Sequence, residues 1–136
     1  VAVMDESVSD DPCRIEGRLI DLYDPELPVV TSREIRPGEQ GLFLNLDRVG
    51  QPRRAQVLAA ACRTYDEVRG KRSFAFVAKS PAHTTNVMRI LLPEAPKELR
   101  VGGKEVSVEG CWDEASHTCL LRFENDPDGV QVRIGW

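Results

Sequence analysis

The sequence predicts an all-β fold, an antiparallel β-sandwich of about seven to nine strands. Two observations predict it. Apolar and polar residues alternate with period two in one segment after another, which is typical of strands that turn one face to a core and the other to water. The spacers between these segments are rich in Gly, Pro, Asn and Asp, the residues that tight turns need.

The chain is predicted to hold one folded domain. A length of 136 residues is close to the commonest size for a single domain, and we assign that domain to residues 14–136. Residues 1–13 are predicted to be a flexible arm or linker, because Met4–Pro12 is acidic and rich in serine. A net charge of -4 and the lack of a long apolar run argue against nucleic acid and membrane as partners.

Two candidate strands lie in the first 50 residues. Arg14–Leu22 is the less regular of them. Leu42–Val49 alternates well, and this alternation predicts that Phe43 points to solvent. The leucines of the segment share the buried face in this interpretation: Leu42, Leu44 and Leu46.

The remaining strands are predicted after residue 54. Ala55–Arg69 contains Ala and Leu, which favour helix, whereas Thr64, Tyr65 and Val68 favour strand. No clear helix cap precedes the segment, so we predict that it is a strand. The others alternate more regularly: Arg72–Ala78, Val87–Leu92, Val106–Val108, Cys119–Phe123 and Val130–Trp136. Their predicted inward residues include Phe74, Phe76, Met88, Ile90, Leu92, Val130, Val132, Ile134 and Trp136.

No metal ion or other cofactor is predicted. The four cysteines are scattered with no Cys-x-x-Cys pair, and His117 with Cys119 could supply only two of the four ligands that a structural zinc needs. Asp126–Gly129 has the residue types of a tight turn and lacks the spacing and distal Glu of a calcium loop.

The cysteines are expected to be free thiols that pack as small hydrophobic residues: Cys13, Cys62, Cys111 and Cys119. A disulfide is the alternative for one pair, because Cys111 and Cys119 flank a predicted hairpin turn at Asp113–Ser116 and could lie nearly opposite each other. A bridge needs a register that is defined to one residue, and the sequence leaves that register open.

Catalysis by this chain is not expected. His83 and His117 lie in or beside predicted turns and are expected to be polar loop residues. No serine or cysteine has the local context of an activated nucleophile, such as a Gly-x-Ser-x-Gly elbow. The carboxylates that could act in pairs also fall in predicted turns. A small enzyme that uses one of the two histidines is the weakest alternative.

Aromatic residues are few, at 6% of the chain. Four are predicted to face the core: Phe74, Phe76, Phe123 and Trp136. The others could lie on the surface, where an aromatic face can stack on a sugar ring: Tyr23, Phe43, Tyr65 and Trp112. Of these, Tyr23 and Trp112 are the candidate ligand contacts.

A succession of short phrases in the second half of the chain is similar to one known module. The phrases are Ser73–Val77, Ser80–Pro81, Thr84–Val87, Arg89–Pro93, Pro96–Val106, Leu120–Asn125 and Gly129–Val130. Through them Arg69–Trp136 resembles the C-terminal Ig-like β-sandwich appended to large bacterial glycoside hydrolases and related carbohydrate-active proteins. With the strand pattern, this resemblance predicts an Ig-like sandwich.

The resemblance implies a noncatalytic accessory domain of a multidomain hydrolase, with the catalytic carboxylates on another domain. Its expected role is structural, since it would pack against the catalytic domain of the parent chain and stabilise or orient it. The alternative is a binding module that grips a glycan or a protein through loops at one end of the sandwich.

Overall fold

The computed structural model describes residues 1–4, 10–50 and 52–136. These residues form thirteen strands in three antiparallel sheets and one helical turn, so the predicted all-β class is confirmed with more strands than expected. The chain divides into two compact units, residues 1–51 and residues 52–136. The single domain predicted over 14–136 stays a prediction, because a compact unit and an independently folding domain are different properties.

The unit of residues 1–51 contains one antiparallel sheet with the strand order β1-β4-β2-β3. Its elements are β1 (Ala2–Met4), β2 (Cys13–Asp21), β3 (Val29–Ile35), β4 (Gln40–Asn45) and a helical turn, α1 (Leu46–Val49). The predicted arm, residues 1–13, includes β1, which pairs with β4 and places Ala2 opposite Leu42. Residues 5–9 of that arm lie outside the described residues.

The buried side of this sheet centres on Phe43, which is 2% exposed and packs with Leu19 and Ile35. The prediction that Phe43 faces solvent is therefore wrong, and the leucines of β4 are only half-buried. Both faces of this segment are apolar, so alternation alone could not decide which of them is buried. Leu46 is buried as predicted, but as the first residue of α1.

Residues 52–136 form two antiparallel sheets around one core. The strands are β5 (Gln56–Ala60), β6 (Arg63–Arg69), β7 (Ser73–Lys79), β8 (Thr85–Leu91), β9 (Glu98–Val101), β10 (Lys104–Glu105), β11 (Trp112–Asp113), β12 (Thr118–Glu124) and β13 (Val130–Gly135). One sheet has the order β10-β9-β13-β7-β6 and the other the order β11-β12-β8-β5. Both sheets supply core side chains, among them Phe74, Phe76, Met88, Ile90, Leu99, Leu121, Val132 and Ile134. We call this unit the sandwich.

The inward residues predicted for the sandwich are confirmed in its central strands. Phe76, Met88 and Ile134 are at most 2% exposed, and Trp136 is buried at the end of the chain. Ala55–Arg69 is strand, as predicted, but it forms two strands, β5 and β6, because the chain bends between them at residues 61–62.

The prediction of a strand over Val106–Val108 is wrong, because the strand in this region is Lys104–Glu105 (β10). Gly102 and Gly103, both with positive φ, form a tight turn after β9, and only the two residues of β10 follow it as strand. Val106 adds one more hydrogen bond, from its amide to the Leu99 carbonyl at 2.9 Å, and is 40% exposed. The alternating valines belong to a segment that leaves the edge of the sheet, where no further strand holds them.

Two predicted turns are confirmed. At Asp126–Gly129 the Asp128 amide donates to Asp126 Oδ1 at 2.8 Å, and Gly129 has a φ of 111°. The hairpin turn predicted at Asp113–Ser116 lies between β11 and β12. Both turns rely on an aspartate that accepts a hydrogen bond from the backbone two residues later, as short polar side chains commonly do.

Candidate functional site

The solvent side of the five-stranded sheet carries both apolar and basic side chains. We call it the outer face and define it by Tyr65, Val68, Ala75, Val77, Arg100 and Arg133. Tyr65 is 43% and Val68 is 64% exposed, and both lie beside the half-buried Ala75 and Val77. The solvent side of an antiparallel sheet is ordinarily polar, so this surface departs from the usual pattern.

Strand register brings the residues of the outer face into neighbouring rows. In one row Val68 lies opposite Ala75, Ala75 lies opposite Arg133, and Arg133 lies opposite Arg100. Tyr65 begins the next row. Side chains in such cross-strand positions are in contact distance, so the apolar and basic residues form one continuous surface.

A β-bulge in β6 puts Tyr65 and Val68 on the same face. The two residues are an odd number of positions apart, so a regular strand would turn them to opposite faces. The register with β7 shifts between them, and Asp66, at the shift, has a φ of 52°. Aspartate is one of the few residue types that tolerate this conformation.

Arg100 and Arg133 are directly opposite each other on β9 and β13, an arrangement that is unfavourable because like charges repel. Glu98 offsets part of this repulsion, since its Oε1 accepts from Arg100 Nε at 2.9 Å. Among the described residues Arg133 has no carboxylate partner. The two arginines line a groove of about 340 Å³, and Asp66 is the one acidic residue among the described residues that line it. The groove therefore suits a partner that brings a further carboxylate.

The two ligand contacts predicted from the sequence lie in different units. Tyr23 follows β2 and is 59% exposed, and its amide donates to Asp21 Oδ1 at 3.0 Å. Trp112 in β11 is half-buried, and its indole N–H donates to Glu114 Oε2 at 2.6 Å. Its ring is perpendicular to the His117 ring, with the two ring centroids 5.7 Å apart. Tyr23 thus presents an open ring, whereas Trp112 is already engaged with its own hairpin. Ligand contact by either residue stays a prediction.

A buried polar network supports the β11–β12 hairpin, and its central residue, Arg89, could not be predicted from the sequence pattern. Arg89 is 6% exposed and donates to Thr118 Oγ1 at 2.9 Å. Thr118 and Ser116 share a hydrogen bond of 2.7 Å, and Ser116 donates to Asp113 Oδ2 at 2.6 Å. Burial lowers the pKa of the Arg89 guanidinium, and the nearby Asp113 carboxylate opposes that effect. The network connects β8 to the hairpin turn.

Both histidines lie in turns, at backbone positions with positive φ. His83 is exposed with a φ of 62°, and His117 is half-buried with a φ of 53°. His117 Nδ1 is buried and has no hydrogen-bond partner among the described residues. The expectation that neither residue is catalytic stays a prediction.

All four cysteines are free thiols, as predicted, but they are not all buried. Cys13 begins β2 on an exposed strand end, which corrects the expectation that it packs as a small hydrophobic residue. Cys62 is half-buried, and its sulfur accepts a hydrogen bond from the side-chain amide of Asn86 at 3.3 Å. Burial raises the pKa of the Cys62 thiol, which makes it a weak nucleophile.

The thiols of Cys111 and Cys119 have pKa shifts in opposite directions. The Cys111 thiol donates to the Val108 carbonyl at 3.1 Å. Cys119 is fully buried and Cys111 is half-buried. The hydrogen bond from Cys119 stabilises a thiolate on Cys111 and lowers the pKa of Cys111 to about 7. The same contact, with burial, raises the pKa of Cys119.

The described part of the chain holds no group of three or more His, Cys, Asp and Glu side chains that could bind a metal ion. Over the same residues no helix has both the length and the apolar character that crossing a membrane requires.

Comparison with known proteins adds no relative: no family model, curated protein or solved structure matches this chain. The outer face and the groove at Tyr23 are therefore the features from which function is argued.

Proposed function

We propose that this chain is a noncatalytic accessory domain with an Ig-like sandwich, and that its outer face packs against the catalytic domain of a bacterial glycoside hydrolase. One observation carries the proposal: the outer face exposes Tyr65 and Val68 beside the half-buried Ala75 and Val77. Adjoining apolar side chains on a sheet gain favourable free energy when a partner removes them from water.

The outer face has the residue types found at the centre of protein interfaces. Tyr and Arg are enriched there, and Tyr65 with Arg133 supplies both. The facing Arg100 and Arg133 would gain from a carboxylate on the partner, because it offsets the repulsion between the two guanidinium groups. The expected occupant is therefore an acidic and partly apolar surface of the catalytic domain.

The class of the parent enzyme rests on the resemblance over Arg69–Trp136. The phrases that carry it are strand and turn segments of the sandwich, such as Ser73–Val77 in β7 and Leu120–Asn125 at β12. They support a module attached to a carbohydrate-active enzyme, with the catalytic carboxylates on the other domain.

The test uses the parent protein read from the full reading frame, with Val68→Asp or Arg133→Glu introduced on the outer face. Each substitution puts an acidic group where we expect an acidic partner surface, so each should lower the melting temperature of the parent. KM should change little, because the substrate lies on the other domain. Val106→Asp is the matched control, since Val106 is also exposed but lies outside the outer face.

Activity of the chain alone provides the second arm of the test. The chain should hydrolyse no aryl glycoside. Turnover by the chain itself, or outer-face variants whose parent unfolds at the same temperature as the Val106→Asp parent, would overturn the proposal.

Glycan binding is the second candidate, and one observation favours it. The exposed Tyr23 ring lies at a groove of about 550 Å³ that Asp21, Arg33 and Glu39 also line. An aromatic face beside hydrogen-bonding side chains is the combination that sugar binding needs. An accessory domain should bind oligosaccharides no better than millimolar. Submillimolar binding that is lost in Tyr23→Ala or Trp112→Ala would favour the glycan-binding module instead.

A further inference from the structure

A second pair of basic side chains lies on the sheet that carries the outer face. Arg63 begins β6, Lys79 ends β7, and the two residues are register partners. Both are exposed, and Lys79 follows the outward-facing Val77 by two positions, so the pair lies on the solvent side of the sheet. Like charges in directly opposite positions are destabilising. With Arg100 and Arg133, this side of the sheet therefore holds two unfavourable pairs.

The chain itself offsets these repulsions only in part. Lys79 Nζ lies 5.8 Å from the centroid of the Tyr65 ring, a cation–π contact. The acidic side chains on this side lie beside Arg100 or at the β6 bulge: Glu98, which pairs with Arg100, Glu105, which is the register partner of Arg100, and Asp66. Three of the four cations form no ion pair with a carboxylate among the described residues: Arg63, Lys79 and Arg133.

The two basic pairs lie at opposite corners of the outer face. Ala75 is in the row of Arg133, and Lys79 follows it by four residues, which is roughly 13 Å of extended strand. One pair joins β6 to β7 and the other joins β13 to β9, so the pairs are also displaced by two strand spacings, or about 10 Å. The diagonal between them is roughly 16 Å, and the half-buried Val77 lies between the pairs.

We propose that the occupant of the outer face is an acidic surface of the catalytic domain that presents one carboxylate to the Arg63–Lys79 pair and another to the Arg100–Arg133 pair. This assignment rests on the proposed function, because it specifies the partner that docks on the outer face. Each carboxylate lies between two cations and offsets their repulsion, so the two contacts together fix the orientation of the partner.

The same charge pattern disfavours a second copy of this chain as the occupant. Two outer faces packed together would bring the cations of one copy towards those of the other, and like charges across an interface are costly. A partner with carboxylates at both corners and an apolar centre has the complementary pattern.

The test replaces one cation of each pair, Arg63→Gln with Arg133→Gln, in the chain alone and in the parent protein. In the chain alone the replacements relieve two repulsions, so the melting temperature should stay the same or rise. In the parent they remove groups that bind the carboxylates of the partner, so the melting temperature should fall by at least about 2 °C at low ionic strength. A structural role of the two arginines would lower both melting temperatures.

Salt and single replacements sharpen the result. Each single replacement should give part of the fall in the parent, because the two pairs are far enough apart to act independently. In about 1 M salt, where charges are screened over about 3 Å, most of the difference between the double variant and the wild-type parent should disappear. The matched control is Arg53→Gln with Arg54→Gln, which removes two exposed arginines that belong to neither pair and should leave the parent unchanged.

Val68→Asp separates this assignment from the proposed function. If Val68→Asp lowers the melting temperature of the parent and the paired arginine replacements do not, the outer face docks without the two carboxylates, and the assignment alone is wrong. If neither lowers it, the outer face does not dock and both proposals fail. A fall of equal size in the chain alone contradicts the assignment. Self-association of the chain in analytical ultracentrifugation that is lost in Val68→Asp would make a second copy the occupant and also contradict it.

Discussion

The sheet of residues 1–51 and the sandwich of residues 52–136 are both built from antiparallel strands, but their hydrophobic clusters differ in size. Among its described residues the first unit has a buried cluster of three side chains, Leu19, Ile35 and Phe43. The sandwich buries thirteen residues in one cluster. Two facing sheets cover each other, whereas a single sheet has no second layer of its own. We therefore expect the sandwich to carry most of the apolar stabilisation.

The two units also differ in their polar interactions. In the first unit Arg18 and Asp47 form an ion pair at 2.8 Å, and both side chains are 48% exposed. In the sandwich Arg89 and Thr118 are buried together. An exposed pair contributes little because water competes for both partners, whereas a buried hydrogen-bonding group is costly to leave without its partner.

The largest effect is expected when Val130–Trp136 is deleted. This segment contains β13, which pairs with both β7 and β9. Its loss removes Val132, Ile134 and Trp136 from the core, at about 1.5–3 kcal/mol for each buried side chain, against a total stability of roughly 5–15 kcal/mol. The shortened chain should show no cooperative thermal transition by circular dichroism.

Deletion of residues 1–4 is the matched control. It removes only β1, an edge strand of the first unit, so the transition of the sandwich should persist. If the chain without β13 still unfolds cooperatively, the core of the sandwich does not depend on its central strand. That result would contradict the expectation that the sandwich carries most of the apolar stabilisation.

Single core substitutions sharpen the comparison. Phe43→Ala and Met88→Ala should cost about 2–5 kcal/mol each, because both remove a fully packed side chain. Hydrogen exchange should show different patterns. Phe43→Ala should lower amide protection in β2, β3 and β4, since it removes the largest of three clustered side chains, while Met88→Ala leaves twelve members of its cluster in place. Equal loss of protection across both units in Phe43→Ala would contradict this.

Arg89→Met tests the buried polar network at a smaller scale. The substitution keeps most of the apolar stem and removes the hydrogen bond that the Thr118 hydroxyl accepts from Arg89, which should cost about 1–3 kcal/mol in urea unfolding. Arg63→Met, at an exposed position of β6, should stay within about 0.5 kcal/mol of wild type. Equal stability of the two variants would show that the network contributes nothing.

The smallest effect is expected from Asp47→Asn in the first unit. Hydrogen bonds from Arg18 hold the pKa of Asp47 below its usual range, so this carboxylate favours the folded state above its unfolded pKa, and the benefit disappears as the pH falls through the folded pKa. Asp47→Asn should therefore be slightly less stable than wild type at pH 7, and the difference should disappear once the pH is below the folded pKa of Asp47. A difference that grows in acid would have the wrong sign.

Much of the fold could be predicted from local sequence, because strand alternation and turn residues are local properties. Phe76, Met88 and Ile134 follow from period-two patterns, and the turn at Asp126–Gly129 follows from its residue types. Phe43 could not be placed, since its segment is apolar on both faces and only pairing with neighbouring strands decides which face is covered.

The outer face depends on pairing between distant segments, which is why the sequence did not predict it. Tyr65 was among the possible surface aromatics, but Val68 shares its face only through the β6 bulge. Arg133 and Arg100 meet because β13 pairs with β9 across 33 residues of chain. Such contacts leave no periodic signal in either strand.

The boundary strands of the sandwich have a consequence for how it can associate. Each of its sheets ends on one side in a strand of two residues, β10 or β11, and on the other side in a strand whose register is shifted, β6 or β5. Short and bulged margins are poor templates for adding a foreign strand, so they discourage amyloid-like growth and domain swapping. A protein that binds this unit is therefore expected to recognise side chains on the face of a sheet and not to extend either sheet.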